Sequence, residues 1–420
     1  MLYQMHEWQR KLLNPLSAWA DATSRILSNP YSPLAYTPFS RRLAAGYDLL
    51  HRLGKHYEKP AFGLATTLID GVEVEVVEKV ELAKPFCQLL HKPFCQLLHF
   101  ERVLPAGLAH REQDPTVLMF APLSGHHPTL LRDTVRTLLP HCNIYLTDWI
   151  DARLVPLSQG PFHLDDYVEY CLEFIRRLGP RVHLISVCQP TVPVLAAVSL
   201  LASGADPALP RSMTMMGGPI DTRRNPTQVN ALAQRKSYDW FRSHVIFKVP
   251  SSYPGYLREV YPGFLQHAGF VAMNPDRHVE SHWDYYLDLV KGDLEDIEAH
   301  RRFYDEYNAV IDLPAEYYLD TIRVVFQDHQ LPCGTWHVRG QRVAPEDIRD
   351  VALFTIEGEL DDISGSGQTQ AAHDLCRGIP ADRKQHLTAM GVGHYGIFSG
   401  RRWRENIAPR ITDFIHAHDS

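Results

Sequence analysis

Along most of the chain, the apolar and polar positions form two kinds of pattern, one typical of strands and one typical of helices, and the two alternate. Short apolar runs rich in β-branched residues predict buried strands at 116–121, 143–149, 182–187, 212–216 and 386–390. A further strand is predicted to begin at 350 and to run into an acidic loop that ends at 363. Helical patterns occur at 129–139, 164–178, 191–201, 368–378 and 402–416. Strands alternating with helices predict an α/β fold with a mostly parallel, doubly wound sheet and right-handed crossovers.

A different pattern precedes this alternation. Residues 71–83 alternate apolar and charged positions, which predicts a half-buried antiparallel strand at a sheet edge. The letters KPFCQLLH at 84–91 then recur unchanged at 92–99, which indicates a tandem duplication because repeat architectures have longer periods. We expect one copy to occupy the strand and the other to loop out. The alternative, a redox pair of Cys87 and Cys95, conflicts with the reducing compartment inferred below.

The N-terminal segment 1–60 is predicted to be helical. Its apolar residues fall at three-to-four spacing and form a stripe, which consists of Met5, Trp8, Leu12, Leu16 and Trp19. We expect this stripe to pack on the rest of the protein, as most such stripes do. The alternative is contact with a hydrophobic surface outside the protein.

The alternation of strands and helices stops over residues 222–345, which are irregular and rich in aromatic residues. An insertion of this size between two sheet strands predicts a cap over the carboxyl ends of the strands. The domain prediction is therefore a core of residues 61–221 and 346–420 with a cap of residues 222–345. The aromatic residues either form the core of the cap or line an apolar substrate groove.

The composition of the chain argues against several classes of protein. The 420 residues carry a net charge of −7 without a basic block, so nucleic-acid binding is not expected. The seven cysteines are odd in number and irregularly spaced, and they form no C-x-x-C motif. This pattern favours a protein of a reducing compartment and argues against a disulfide framework or a zinc site. The sequence has neither a signal-peptide pattern at its start nor an apolar run of about 18 residues, so no transmembrane segment is predicted.

Cys188 lies where a predicted strand gives way to a helix with almost no loop between them. A nucleophile at such a turn is exposed above the sheet edge, and the helix dipole and the N–H of Gln189 favour a thiolate and a developing oxyanion. The simpler interpretation is a buried structural cysteine.

Two later segments strengthen the catalytic interpretation. An acidic loop follows the strand that begins at 350, and its carboxylates are Glu357, Glu359, Asp361 and Asp362. His394 stands between glycines after the next strand. Nucleophile, acid and histidine, each just after a strand, follow the chain order of an α/β-hydrolase triad. The loop position favours the aspartates as the acid.

These residues predict acyl transfer through a thioester. His394 would take the proton of Cys188, and a carboxylate would orient the imidazole. The N–H of Gln189 and an N–H of Leu123 or Ser124 would form the oxyanion hole. No metal or organic cofactor is needed. His126 and His127 are rival bases, although they precede the nucleophile in an unusual order.

Six segments together identify a family resemblance. The chain resembles the intracellular polyhydroxyalkanoate (poly-3-hydroxybutyrate) depolymerases, relatives of the polyhydroxyalkanoate synthases, over nearly its whole length. The segments that carry the resemblance are MLYQMHEWQRKLLNPL, SPLAYTPFSRRLAAGYDLLHRLGKHYEKPAFG, APLSGHHPTLLRDTV, SVCQPTVPVLAAV, EGELDDISG and GVGHYGIFSGRRWR.

The resemblance implies an α/β-hydrolase fold and a catalytic triad of Cys188, Asp361 and His394. It favours Asp361 over Asp362 because related enzymes show Asp, one residue and then Ile. It also implies hydrolysis of amorphous storage polyester to 3-hydroxybutyrate or its oligomers. The expected location is the cytoplasm of bacteria, at the surface of poly-3-hydroxybutyrate granules.

Other functions stay open. Synthases show a Gly-x-Cys-x-Gly elbow, whereas Ser186 and Pro190 replace both glycines here, which favours a depolymerase. The alternatives are a synthase-like acyltransferase, including transfer of the acyl group to coenzyme A, a hydrolase of soluble oligomers, and a non-catalytic granule-coating protein. The preferred chain length, the opening of the cap and the oligomeric state, a homodimer included, also stay open.

Overall fold

A nine-stranded sheet forms the centre of the protein. The computed structural model describes residues 2–81, 92–273 and 275–419. The strands of this sheet are β1 (Thr66–Ile69), β2 (Val72–Val80), β3 (Cys95–Val103), β4 (Thr116–Phe120), β5 (Asn143–Trp149), β6 (Val182–Val187), β7 (Ser212–Met216), β13 (Ala352–Gly358) and β14 (Lys384–Ala389).

The strand order is β1-β2-β3-β5-β4-β6-β7-β13-β14. The six strands from β5 to β14 in this order run parallel, whereas β1, β2 and β3 pair antiparallel with their neighbours. The predicted mostly parallel sheet is thus confirmed. The alternating strand β2 is antiparallel, but β1 pairs with its outer side, so β2 is not the edge strand.

Helices cover both faces of the parallel strands. α4 packs on α5, and α15 packs on α3. The helices of the chain outside the segment between β7 and β13 are α1 (Leu2–Leu27), α2 (Pro38–Gly54), α3 (Arg132–Leu138), α4 (Leu164–Leu178), α5 (Thr191–Ser203), α13 (Ala372–Leu375), α14 (Gly400–Arg402) and α15 (Ala408–Ala417). Every residue of β6, β7 and β13 is buried, as expected for parallel strands covered on both faces.

The segment between β7 and β13 contains regular elements that its irregular sequence pattern did not predict. Its helices are α6 (Gln228–Arg235), α7 (Tyr238–His244), α8 (Gly263–Met273), α9 (Pro275–Lys291), α10 (Leu294–Tyr307), α11 (Ala315–Thr321) and α12 (Gln330–Cys333). Its strands are β8 (Phe247–Lys248), β9 (Glu259–Tyr261), β10 (Leu313–Pro314), β11 (His337–Val338) and β12 (Gln341–Arg342), which form two small antiparallel sheets.

The N-terminal helices α1 and α2 form a pair, and α2 also packs on α9. Small residues of α1 face α2: Ser17 contacts His51 at 3.0 Å, and Ser24 donates to the Ala44 carbonyl at 2.9 Å. The expectation that the apolar stripe of α1 packs on the protein is therefore wrong. The stripe faces outward, and its side chains are 55–70% exposed, at Met5, Trp8, Leu12, Leu16 and Trp19. We call these five residues the outer face of α1.

The second copy of the octapeptide repeat leads into β3, and Phe94, Cys95, Leu97 and Leu98 from it are buried. The first copy, 84–91, and the expectation that one copy loops out lie outside the described residues. Within the described ranges, no helix is long and apolar enough to cross a membrane.

Candidate active site

Cys188 occupies a strained turn between β6 and α5. Its φ of 68° lies in the left-handed region, which side-chain-bearing residues rarely adopt. Its N–H donates to the Met216 carbonyl at 2.7 Å, and its carbonyl accepts from the Thr191 hydroxyl at 2.9 Å. The turn is thereby fixed to β7 on one side and to the first turn of α5 on the other. This is the geometry of a nucleophile elbow.

Two glycines after β7 allow the elbow and the histidine to approach each other. A Cβ on Gly218 would overlap the Thr191 side chain, with 1.9 Å to Oγ1. A Cβ on Gly217, whose φ is +56°, would lie 2.6 Å from Ile397 Cδ1 and 3.2 Å from His394 Cε1. The strand predicted at 212–216 ends directly before these glycines, and the sequence analysis assigned them no role. Their position beside a predicted nucleophile strand was the available signal.

His394 and Asp361 lie together, although they are 33 positions apart in the chain. His394 Nδ1 donates to Asp361 Oδ2 at 2.7 Å, and both side chains are buried. Asp361 Oδ1 accepts from the backbone N–H of Ile363 at 2.9 Å and of Ser364 at 2.8 Å. These two hydrogen bonds hold the Asp361 carboxylate in place. The carboxylate in turn sets the orientation and tautomer of the His394 imidazole.

The other carboxylates of the acidic loop have different partners. Glu357 accepts from the backbone N–H groups of Gly367, Thr369 and Gln370, each at 2.8 Å. Glu359 accepts from the N–H of Gly391 at 2.7 Å. Glu357 and Glu359 are thus bound to backbone N–H groups, whereas Asp361 is hydrogen-bonded to His394.

The second nitrogen of His394, Nε2, is left for the thiol because Nδ1 faces Asp361. His394 and Cys188 line the same cavity, and Cys188 is close enough to raise the pKa of the imidazole. Burial lowers the pKa of His394, but the Asp361 carboxylate and then Cys188 outweigh it and raise the pKa well above the usual 6.5. A raised pKa favours an imidazolium beside the sulfur, which is the charge state that activates a thiol.

A cavity of about 790 Å³ opens above Cys188 and His394, a volume within the range of small-molecule sites. Gln189 and Ser124 line it, whereas Leu123 is buried and does not. Ser124 is thus the better placed of the two loop residues for an oxyanion contact. The remaining lining is largely apolar and includes Leu130, Leu232, Phe241, Phe270, Tyr318 and Phe326.

The rival bases have different surroundings. His126 lines the cavity, and its Nε2 lies 3.2 Å from the Tyr307 carbonyl. Burial lowers the pKa of His126 to about 4 and that of His127 to about 3. Histidines with such low pKa values are poor proton acceptors near neutral pH. His127 does not line the cavity.

Across the described ranges, no group of three or more His, Cys, Asp or Glu side chains is placed to hold a metal ion. Cys188 and His394 line one cavity, and His394 is hydrogen-bonded to Asp361.

The strand order, the elbow after β6 and the histidine after β14 define the chain as an α/β-hydrolase. Residues 217–419 match the protein-family model described as "PHB de-polymerase C-terminus". The fold and this match, which covers just under half of the chain, together support an α/β-hydrolase of the PHB depolymerase type. Asp361 and His394 lie within the matched residues, and Cys188 lies outside them.

A search of curated proteins found no match to this chain. Among solved structures, a Paleococcus ferrophilus monoacylglycerol lipase is 12% identical with a TM-score of 0.43, covering 72% of this chain and 94% of the lipase. A Thermogutta terrifontis esterase is 12% identical with a TM-score of 0.40, covering 85% and 98%. The thioesterase domain from the curacin biosynthetic pathway is 11% identical with a TM-score of 0.41, covering 81% and 99%. The fold assignment rests on topology, not on these distant similarities.

Proposed function

We propose that this protein hydrolyses amorphous poly-3-hydroxybutyrate through a Cys188–His394–Asp361 triad and a thioester intermediate. The observation that carries the proposal is the hydrogen bond from His394 to Asp361, with His394 and Cys188 lining one largely apolar cavity. A short-chain polyester is itself weakly polar, so an apolar cavity with few polar groups suits it.

The reaction follows from the geometry. His394 Nε2 holds the proton taken from the Cys188 thiol, Cys188 Sγ attacks the ester carbonyl, and the N–H groups of Gln189 and of the loop at Ser124 accommodate the oxyanion. The ester C–O bond then breaks, and the imidazolium returns its proton to the leaving alkoxide. Water, deprotonated by His394, hydrolyses the thioester and frees the 3-hydroxyacyl product. Coenzyme A as the acceptor would instead yield 3-hydroxybutyryl-coenzyme A.

The proposed domain division is a core of residues 61–221 and 346–420 with a cap of residues 222–345. Its support is that Phe241, Phe270 and Tyr318 from the inserted segment line the cavity above Cys188. The proposed location is the cytoplasm, at the surface of polyhydroxyalkanoate granules. The outward orientation of Trp8, Leu12 and the rest of the outer face of α1 supports this attachment.

Release of 3-hydroxybutyrate from native amorphous granules tests the proposal. We expect the wild-type protein to release it and Cys188→Ala to release none above background, because the thioester cannot form. Cys333→Ala is the matched control, since Cys333 is a free, exposed cysteine away from the cavity, and it should retain wild-type release. Equal release by wild type and Cys188→Ala would refute the triad. Polymer formation from 3-hydroxybutyryl-coenzyme A would favour the synthase-like alternative.

A further inference from the structure

A second cavity, of about 1070 Å³, lies beside the first. Four residues line both cavities and form the boundary between them: Phe270, Ile363, His394 and Tyr395. His394 therefore borders both cavities. Cys188 lines only the first cavity. The first cavity therefore borders both Cys188 and His394, whereas the second borders only His394 of these two residues.

The two cavities also differ in chemical character. The cavity above Cys188 is bounded mainly by apolar side chains, with Arg235 as its one Asp, Glu, Lys or Arg residue among those described. The second is lined by charged side chains of both signs: Arg277, Arg401, Arg402, Glu280, Asp284, Asp288, Asp296 and Asp362. Near His394 it is aromatic: Tyr395 lies 5.9 Å from the His394 ring, and Phe303 lies 6.4 Å from Tyr395, between ring centroids.

We propose that the second cavity is the binding site for the alcohol side of the scissile ester, so that one polyester chain spans both cavities. This inference rests on the proposed function. The carbonyl carbon must lie at Cys188 Sγ, and the leaving oxygen must lie near His394 Nε2 to receive its proton. The chain attached to that oxygen therefore begins at His394 and continues past Tyr395 towards Phe303.

The direction of the polymer chain fits this assignment. When an internal ester of poly-3-hydroxybutyrate breaks, the Cys188 Sγ–C bond forms, the C–O bond breaks and the leaving oxygen takes the proton from His394. The leaving fragment carries the carboxyl end of the polymer, and the acyl fragment carries the hydroxyl end. The fragment that ends in a carboxylate thus occupies the cavity that contains Arg277, Arg401 and Arg402 as possible partners, while the uncharged acyl fragment stays in the apolar one.

The test uses esters with one fixed acyl group, 3-hydroxybutyryl, and leaving alcohols that contain one to four 3-hydroxybutyrate units. A p-nitrophenyl ester of the same acyl group has a leaving group that ends next to His394. In the wild type, kcat/KM should rise with the length of the leaving chain until the second cavity is filled. Phe303→Ala removes an aromatic wall of that cavity and should lower kcat/KM for the longest ester about fivefold or more, mainly through KM.

Hydrolysis of the p-nitrophenyl ester by Phe303→Ala should change less than twofold. The matched control is Trp283→Ala, since Trp283 is an exposed aromatic residue on α9 that lines neither cavity, and it should leave both substrates unaffected. Equal effects of Phe303→Ala on both esters, or no length dependence in the wild type, would overturn the two-cavity assignment alone. A wild-type protein that hydrolyses neither ester would overturn the proposed function and this inference together.

Discussion

Three carboxylates within five positions, Glu357, Glu359 and Asp361, differ in role because their backbone positions differ. Glu357 is still in β13 and accepts N–H groups of the loop that follows, whereas Asp361 lies past the strand end and reaches His394. Cys188 could be proposed from sequence because it directly follows a buried strand, and His394 because it stands between glycines a few positions after the next strand of the pattern. The acid could not be fixed from the residues alone, since the direction of each side chain depends on the loop's turns.

Gly217 offers the sharpest test at the residue scale. Gly217→Ala adds a Cβ that would clash with Ile397 and press on His394 Cε1, at 2.6 and 3.2 Å. We expect His394 to be displaced from Cys188 and kcat/KM for a soluble p-nitrophenyl ester to fall about 100-fold, since misplacement by about 1 Å can cost that much. Steady-state kinetics on the purified variant measure the effect.

A control variant is needed to separate the effect of backbone strain on activity from the effect of displacing His394. Gly63 has a similar φ, +61°, but no atom lies within 4 Å of the position that a Cβ would take there. Gly63→Ala should therefore lose about 1 kcal/mol of stability from the left-handed conformation and keep wild-type kcat/KM. If both variants lose activity equally, the packing of Gly217 against His394 is not the cause.

At the scale of elements, periodicity located helices but not the surfaces they face. The three-to-four spacing of the outer face of α1 correctly indicated a helix, yet Ser17 and Ser24 on another side form the contact with α2. The helices between β7 and β13 were missed because their aromatic residues masked the spacing. N-terminal capping was the available signal: Ser237 and Asp293 accept from the N–H groups of Trp240 and Asp296.

The outer face of α1 predicts a measurable affinity for granules. Replacing Trp8, Leu12 and Leu16 together by Gln should weaken sedimentation with native granules at least about tenfold, because each large apolar side chain contributes of the order of 1 kcal/mol when covered. The measurement uses the Cys188→Ala background, so that granules are not consumed. Circular dichroism and the unfolding midpoint verify that the variant is folded.

The control for this experiment changes exposed apolar residues elsewhere. Leu157 and Leu294 are 54% and 74% exposed and lie outside α1. Their joint replacement by Gln should leave granule binding within about twofold of the parent protein. Equal loss of binding in both variants would mean that granules adsorb the protein through general hydrophobicity rather than through α1.

At the scale of the whole molecule, one buried polar cluster joins α1, the core and the inserted segment. Tyr3 of α1 donates to Asp312, which also accepts from the N–H of Gly263 at 2.9 Å. Asp151, just after β5, pairs with Arg153 at 2.9 Å and accepts from the N–H of Asp312 at 3.3 Å. Sequence could not reveal this cluster, because its members are separated by up to 309 positions and no local pattern relates them.

The cluster makes stability depend on pH near neutrality. Burial, and then repulsion from Asp312, raises the pKa of Asp151 from 3.8 to about 7, despite the opposing effect of Arg153. The folded state therefore binds this proton more tightly than the unfolded state does. The stabilisation from protonated Asp151 is complete below about pH 4 and is lost as the pH rises towards 7. Asp151→Asn keeps an oxygen acceptor for the N–H groups of Arg153 and Asp312 but does not titrate.

We expect Asp151→Asn to gain stability relative to the wild type as the pH rises from 5 to 8, by a few kcal/mol at most, since one pKa unit corresponds to about 1.4 kcal/mol. Urea unfolding at intervals across that range measures the difference in the free energy of unfolding. Asp350→Asn, at an exposed carboxylate, should follow the wild-type curve in parallel. A parallel curve for Asp151→Asn as well would mean that Asp151 is already ionised in the folded protein below pH 5. Arg153 would then neutralise the cluster, and the attachment of α1 would not weaken towards neutral pH.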